Sequence, residues 1–187
     1  ALFLGVLSSV FFSVTYVVNS AMAQSGGYWM WSASLRYLLL LPMLLVLTVK
    51  QGWKPVFTEL KRAPFQWILW STVGFGLFYA PMAFSAAYGP SWMVAGVFQF
   101  TMLAGALETP LFRNPDGSRQ KIPTKLFPAF AVISGGIFLL QIEQIQNDPN
   151  LGRALLFAIP MLISASAYPL GNRKTMAICK APLTTAQ

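Results

Sequence analysis

Apolar residues run along the chain in six blocks, roughly 1–23, 29–49, 65–88, 91–112, 125–142 and 154–170, separated by short polar or cationic connections. A helix rises about 1.5 Å per residue and needs about 20 residues to cross a hydrocarbon core roughly 30 Å thick. The blocks are of that order, so the pattern predicts an all-α polytopic membrane protein with six transmembrane helices. The block 91–112 is nearly all apolar yet carries Gln99 and Thr101 near its midpoint and Glu108 about one turn from its end. It is the expected organiser, with the other spans packed around it.

Charge then sets the sidedness. The 50–64 connection holds Lys50, Lys54, Lys61 and Arg62, the 113–125 segment holds Arg113, Arg119, Lys121 and Lys125, and the tail holds Arg173, Lys174 and Lys180. That is 4 + 4 + 3 = 11 cations on one set of alternate connections, against Arg153 alone on the other; Arg36 lies inside a span. The positive-inside rule places the N-terminus, both cationic loops and the C-terminal tail in the cytoplasm. Ala21-Met22-Ala23 could mimic a signal-peptide cleavage site. The charge alternation nevertheless works only if the first span is retained.

Composition adds exclusions. Only 10% of the 187 residues are charged and 56% are hydrophobic, against about 25% charge in soluble domains. The chain has no His and a single cysteine, Cys179, so it offers no His-based metal site, no Ser-His triad and no internal disulfide. No nucleophile–base pair is visible either, and an enzyme is the least favoured class. The net charge of +8 is spread over loops flanking apolar spans, which removes the nucleic-acid reading. No cofactor and no metal are expected.

Pro42, Pro81 and Pro160 fall inside spans, where freed carbonyls must find other partners. They read as static bends, except Pro81, which lies beside Tyr79 near the middle of span three. Small residues crowd spans three and four (Gly74, Gly76, Ala80, Ala83 and Ala87, then Ala95, Gly96, Ala104, Gly105 and Ala106), and the Gly89-Pro90 turn joins the two. This predicts an antiparallel hairpin that is the tightest pair in the protein. Aromatic residues at span ends form an interfacial belt, whereas Trp70 and Tyr79 lie deeper and are candidates to line a cavity.

Polar groups at membrane depth are the candidate site. Thr101, Gly105 and Glu108 share a helical face at i, i+4 and i+7 and would point a polar stripe at a cavity. Glu108 is the coupling candidate; the alternative is a carboxylate solvated at the interface and paired with Arg113 or a loop lysine. Gln99 either grips substrate or bonds across to a neighbouring helix. Tyr79 and Tyr16 either present π-faces to an organic cation or simply pack. Arg36, about two turns into span two, is too far in depth from Glu108 for a direct ion pair.

The segment SWMVAGVFQFTMLAGALETPLF, then RQKIPTKLFPAFAVISGGIFLLQIEQ, then AYPLGNRK at 167–174, resembles the multidrug-resistance efflux branch of the drug/metabolite transporter (EamA-like) superfamily. Gly5, the Trp29–Trp31 region and the Ser34-Leu35-Arg36 run are similar to that superfamily's first two helices. The resemblance implies about ten helices in two five-helix repeats. An odd helix count per repeat forces an inverted arrangement. Residues 1–150 would then be the first repeat, and 151–187 the first helix and following loop of a truncated second one, making the chain an N-terminal fragment. An Arg at position 36 recurs across relatives with varied substrates, which favours a structural role with substrate contact as the alternative. The small multidrug-resistance relatives couple to protons through a Glu in their first helix, but span one here has no carboxylate.

The reading is a secondary transporter of the bacterial inner membrane that exports small organic compounds by alternating access. Gln99, Thr101, Tyr79, Tyr16 and Trp70 are the substrate-binding candidates. Its expected partners are a small-molecule substrate, a proton or another coupling ion, and the lipid bilayer, with a homodimer as an option. The competing readings are an exporter of amino acids or related metabolites on the same fold, and a non-transporting membrane assembly component.

Overall fold

The computed structural model describes residues 2–114 and 116–180, leaving aside the side chains of Leu2, Leu4, Ser8, Phe11, Phe12, Tyr16 and Gln51. The described residues are helical apart from turns and one isolated bridge between Arg113 and Arg119. The helices are α1 (Leu2–Gln24), α2 (Trp29–Thr48), α3 (Lys54–Arg62), α4 (Pro64–Ser71), α5 (Leu77–Tyr88), α6 (Ser91–Phe98), α7 (Phe100–Leu107), α8 (Leu126–Asn147) and α9 (Leu151–Ile178). Among the described residues, Trp29–Thr48, Pro64–Tyr88, Leu126–Asn147 and Leu151–Ile178 are long and apolar enough to cross a membrane, and Ser91–Leu107 is a shorter apolar helix.

The organising element is α9, and the expectation for 91–112 is corrected. α9 packs against α4, α5, α6 and α7, and its contact with α5 is the most extensive in the protein. The predicted tightest pair, spans three and four, touches far less. The reason lies in which small residues meet. Gly74 of span three lies against Gly171 of α9, where a Cβ on Gly74 would come within 3.0 Å of the Gly171 carbonyl carbon. Ser85 Oγ donates to the Phe157 carbonyl at 3.0 Å, and Ser164 Oγ donates to the carbonyl of Phe78. These pairings run in opposite sequence directions, so α5 and α9 are antiparallel. Met82, Ser85, Met161, Ser164 and Ala165 are fully buried along this seam. In lipid, close approach of this kind is driven by packing and interhelical hydrogen bonds rather than by hydrophobic burial.

Two spans are interrupted where an unbroken helix was expected. Span three passes through a π-helical turn at Thr72–Gly76 between α4 and α5. Its irregularity therefore lies a turn before Pro81 and next to the glycine that meets α9. Span four breaks at Gln99, whose N–H bonds back to Gly96 O at 3.2 Å. The Thr101 hydroxyl donates to Phe98 O at 2.6 Å. The 143–153 connection is shorter than expected, because α8 runs to Asn147 and α9 begins at Leu151. The 50–64 connection holds the amphipathic helix α3, which lies outside the apolar blocks.

Candidate substrate cleft and the polar groups of the spans

Structure sorts the sequence candidates into two places. The first surrounds Tyr79 on α5, only 3% exposed. Asn19 Nδ2 of α1 donates to the Tyr79 hydroxyl at 3.3 Å. The Arg36 guanidinium lies 4.7 Å from the Tyr79 ring centroid, and Arg36 Nη1 donates to Thr15 Oγ1 at 3.2 Å. Tyr37 meets Tyr79 edge-on at 5.6 Å and donates its hydroxyl to Phe75 O at 3.3 Å. Arg36 therefore ties α1 and α2 to α5, with cation–π attraction that gains from low polarity. The sequence reading proposed Tyr79 and Arg36 separately and passed over Asn19 and Tyr37. The signal for Asn19 was available, an amide inside an apolar helix.

The second place is a cleft of about 430 Å³ between span three, the end of α7 and α9. Val73, Leu77, Glu108, Leu162, Ile163 and Ser166 are among its lining residues. Glu108 follows the last residue of α7, on αR backbone, and leads into the 3₁₀ turn Thr109–Leu111. Its Oε2 is shielded from solvent and takes no hydrogen bond among the described residues. The cation beside it is Arg173 of α9. Arg173 Nη1 donates to Gly105 O at 3.1 Å and to Thr109 Oγ1 at 3.3 Å, and its guanidinium lies 4.8 Å from the Phe112 ring centroid. Lys174 Nζ lies 5.4 Å from the Trp70 ring and 5.1 Å from that of Phe112. Ser166 uses its hydroxyl on Leu162 O at 2.9 Å.

The expected Thr101–Gly105–Glu108 stripe does not face one cavity. A Cβ on Gly105 would meet Pro169 Cβ at 3.3 Å, so α9 covers that face, and the Thr101 hydroxyl is turned onto the Phe98 carbonyl at the end of α6. Of the named candidates only Glu108 lines the cleft. Gln99 is half-buried at the α6–α7 junction, and Trp70 sits under Lys174. The Tyr16 side chain lies outside the described residues. Sequence reasoning missed Arg173, because the apolar block ends at 170 whereas α9 continues to Ile178 and carries the arginine back into the bundle.

A protein of Bacillus subtilis (strain 168), "Uncharacterized protein YjlA", is 44% identical over 185 residues, which cover 94% of this chain and 56% of that protein. A Shouchella clausii protein, "Uncharacterized 42.1 kDa protein in intracellular alkaline protease 3'region", is 44% identical over 182 residues, covering 94% of this chain and 47% of that protein. The chain thus spans about half the length of the curated relatives it matches. No solved structure matches it. The family EmrE, described as "Putative multidrug resistance efflux transporter", matches residues 1–187. The spanning helices and that match make the chain an integral membrane protein belonging to the EmrE family of transporters.

Proposed function

We propose that the protein is a secondary transporter that exports small organic compounds by alternating access, and that Glu108 is its coupling carboxylate. The observation that carries this reading is Glu108 Oε2, which takes no hydrogen bond among the described residues and sits in a mostly apolar cleft. A carboxylate so placed is costly as a bare anion and is relieved by a proton or by the cationic group of a ligand. Alternation of those two occupants is the minimal chemistry of exchange. The π-helical turn at Thr72–Gly76, whose Val73 lines the cleft, and the break at Gln99 give spans three and four points at which to flex.

The proposed topology has six crossings, with the N-terminus and tail in the cytoplasm of a bacterial cell and residues 151–187 opening an inverted second repeat. Of the substrate-contact candidates, Gln99 and Trp70 remain proposals for a path continuing from the cleft. Tyr79, Tyr16 and Thr101 are proposals whose alternative is helix packing. A second reading, export of amino acids or related metabolites, is favoured by Arg173 beside Glu108, since a cation next to a carboxylate suits a zwitterion. The test is reconstitution in sealed vesicles with an imposed proton gradient and a panel of lipophilic cations and amino acids. Gradient-dependent movement of any of these compounds supports transport, and the compound class selects between the readings. Movement of none, from protein that is folded and inserted, would favour an assembly role.

A further inference from the structure

Helix α3 is held on one side by the end of α9 and leaves its other side open. Glu59 is 5% exposed, pairs with Arg62 at 2.7 Å and accepts the Lys180 backbone N–H at 3.4 Å. Arg62 also donates to the carbonyl of Ile178. At its start, Trp53 Nε1 donates to Thr48 Oγ1 at 3.1 Å, which fixes the indole against the end of α2. The open side has a different composition. At about 100° per residue, Leu60, Phe57, Lys61 and Lys54 fall within an arc of about 120°, and Glu59 lies about 160° from Phe57. Phe57 is 55% exposed, Leu60 44% and Trp53 39%, and both lysines are exposed.

Position in the chain says what this side meets. α3 begins six residues after Trp29–Thr48 ends and finishes two before Pro64–Tyr88 begins, and both of those segments are long and apolar enough to cross a membrane. A helix tethered so tightly at both ends lies at the boundary between bilayer and water. There, aromatic and aliphatic side chains enter the acyl region while lysine stems run along it with their ammonium groups at headgroup level. The arc carries two lysines and no acidic residue, because Glu59, the acid of this helix, is turned inward.

We propose that α3 is a binding surface for anionic phospholipid, with Trp53, Phe57 and Leu60 seated among the acyl chains and Lys54 and Lys61 on the phosphates. Juxtamembrane lysines are drawn to anionic leaflets in this way. The Glu59–Arg62 contacts with Ile178 and Lys180 then connect the lipid-bound helix to the end of α9, the central helix of the bundle.

The test places a nitroxide at position 57 through Phe57→Cys in a Cys179→Ala background, with the protein in nanodiscs of phosphatidylcholine with or without phosphatidylglycerol. Relaxation by oxygen and by a water-soluble nickel chelate reports the depth of the label. The expected result is stronger relaxation by oxygen than by nickel, a deeper label when phosphatidylglycerol is present, and loss of that shift in Lys54→Gln/Lys61→Gln. A second label through Leu60→Cys should give the same pattern, guarding against one substitution unseating the helix. A label equally open to nickel in both lipids would overturn the proposal. So would a label reached by neither relaxant, which would mean that protein covers the helix, or a depth indifferent to lipid charge and to both lysines.

Discussion

Gly74 and Gly171 meet backbone to backbone where the π-helical turn of span three crosses α9, and a Cβ on either would collide with the other chain segment. This contact lets α9 lie close enough to α5 for the two serine–carbonyl bonds further along the seam. Gly171→Ala is expected to lower stability by about 1–3 kcal/mol, the usual cost of overpacking a tight site. The check is the unfolding temperature in detergent, with Gly136→Ala as control because a Cβ there meets nothing within 4 Å. Equal unfolding temperatures for the two variants would mean that the helices are not packed as described.

Arg36 is expected to act as a brace between α1, α2 and α5 rather than as a substrate contact. Arg36→Ala removes both the Thr15 hydrogen bond and the stacking on Tyr79, and should destabilise by about 1–2 kcal/mol. Arg36→Lys keeps a cation over the ring and should recover part of that loss. Tyr79→Phe removes only the bond from Asn19 and should cost about 0.6 kcal/mol. Thermal unfolding alongside a transport-substrate ranking separates the roles. A reordered ranking at unchanged stability in Arg36→Ala would assign the arginine to substrate.

Sidedness rests on the distribution of cations between alternate connections, 11 against one. With Cys179 replaced, a single cysteine placed at Ser118 should be protected from an impermeant thiol reagent added outside cells, and one placed at Asn150 should react. The reverse pattern would invert the orientation and every depth assigned to the site.

Much of the helix layout was legible from hydropathy, since the first five apolar blocks fall on the observed helices to within about five residues, while α9 runs eight residues past the sixth. The centre of the bundle was not. Hydropathy records which segments are apolar but not which glycine faces which. The small residues of span four pointed to a hairpin partner, whereas Gly74 takes its closest contact from Gly171, nearly one hundred positions later. The polar stripe through Thr101, Gly105 and Glu108 failed for a related reason: Pro169 of α9 covers Gly105, and the Thr101 hydroxyl is spent on Phe98 O. Arg173 escaped notice because a cation past the end of an apolar run reads as loop. Helix α3 was hidden because a run of nine residues with four charges carries too few apolar positions to stand out.

The role of Glu108 is tested most directly by comparing two modes of transport in vesicles containing wild-type or Glu108→Gln protein. One mode is exchange of labelled for unlabelled substrate at equal concentrations, and the other is uphill accumulation driven by an imposed proton gradient. The account predicts that Glu108→Gln loses gradient-driven accumulation and that any exchange it keeps is weaker and independent of pH, because the amide fills the same space in the cleft but holds neither the proton nor the charge that pairs with a cation. Uphill accumulation at the wild-type rate by Glu108→Gln would contradict it.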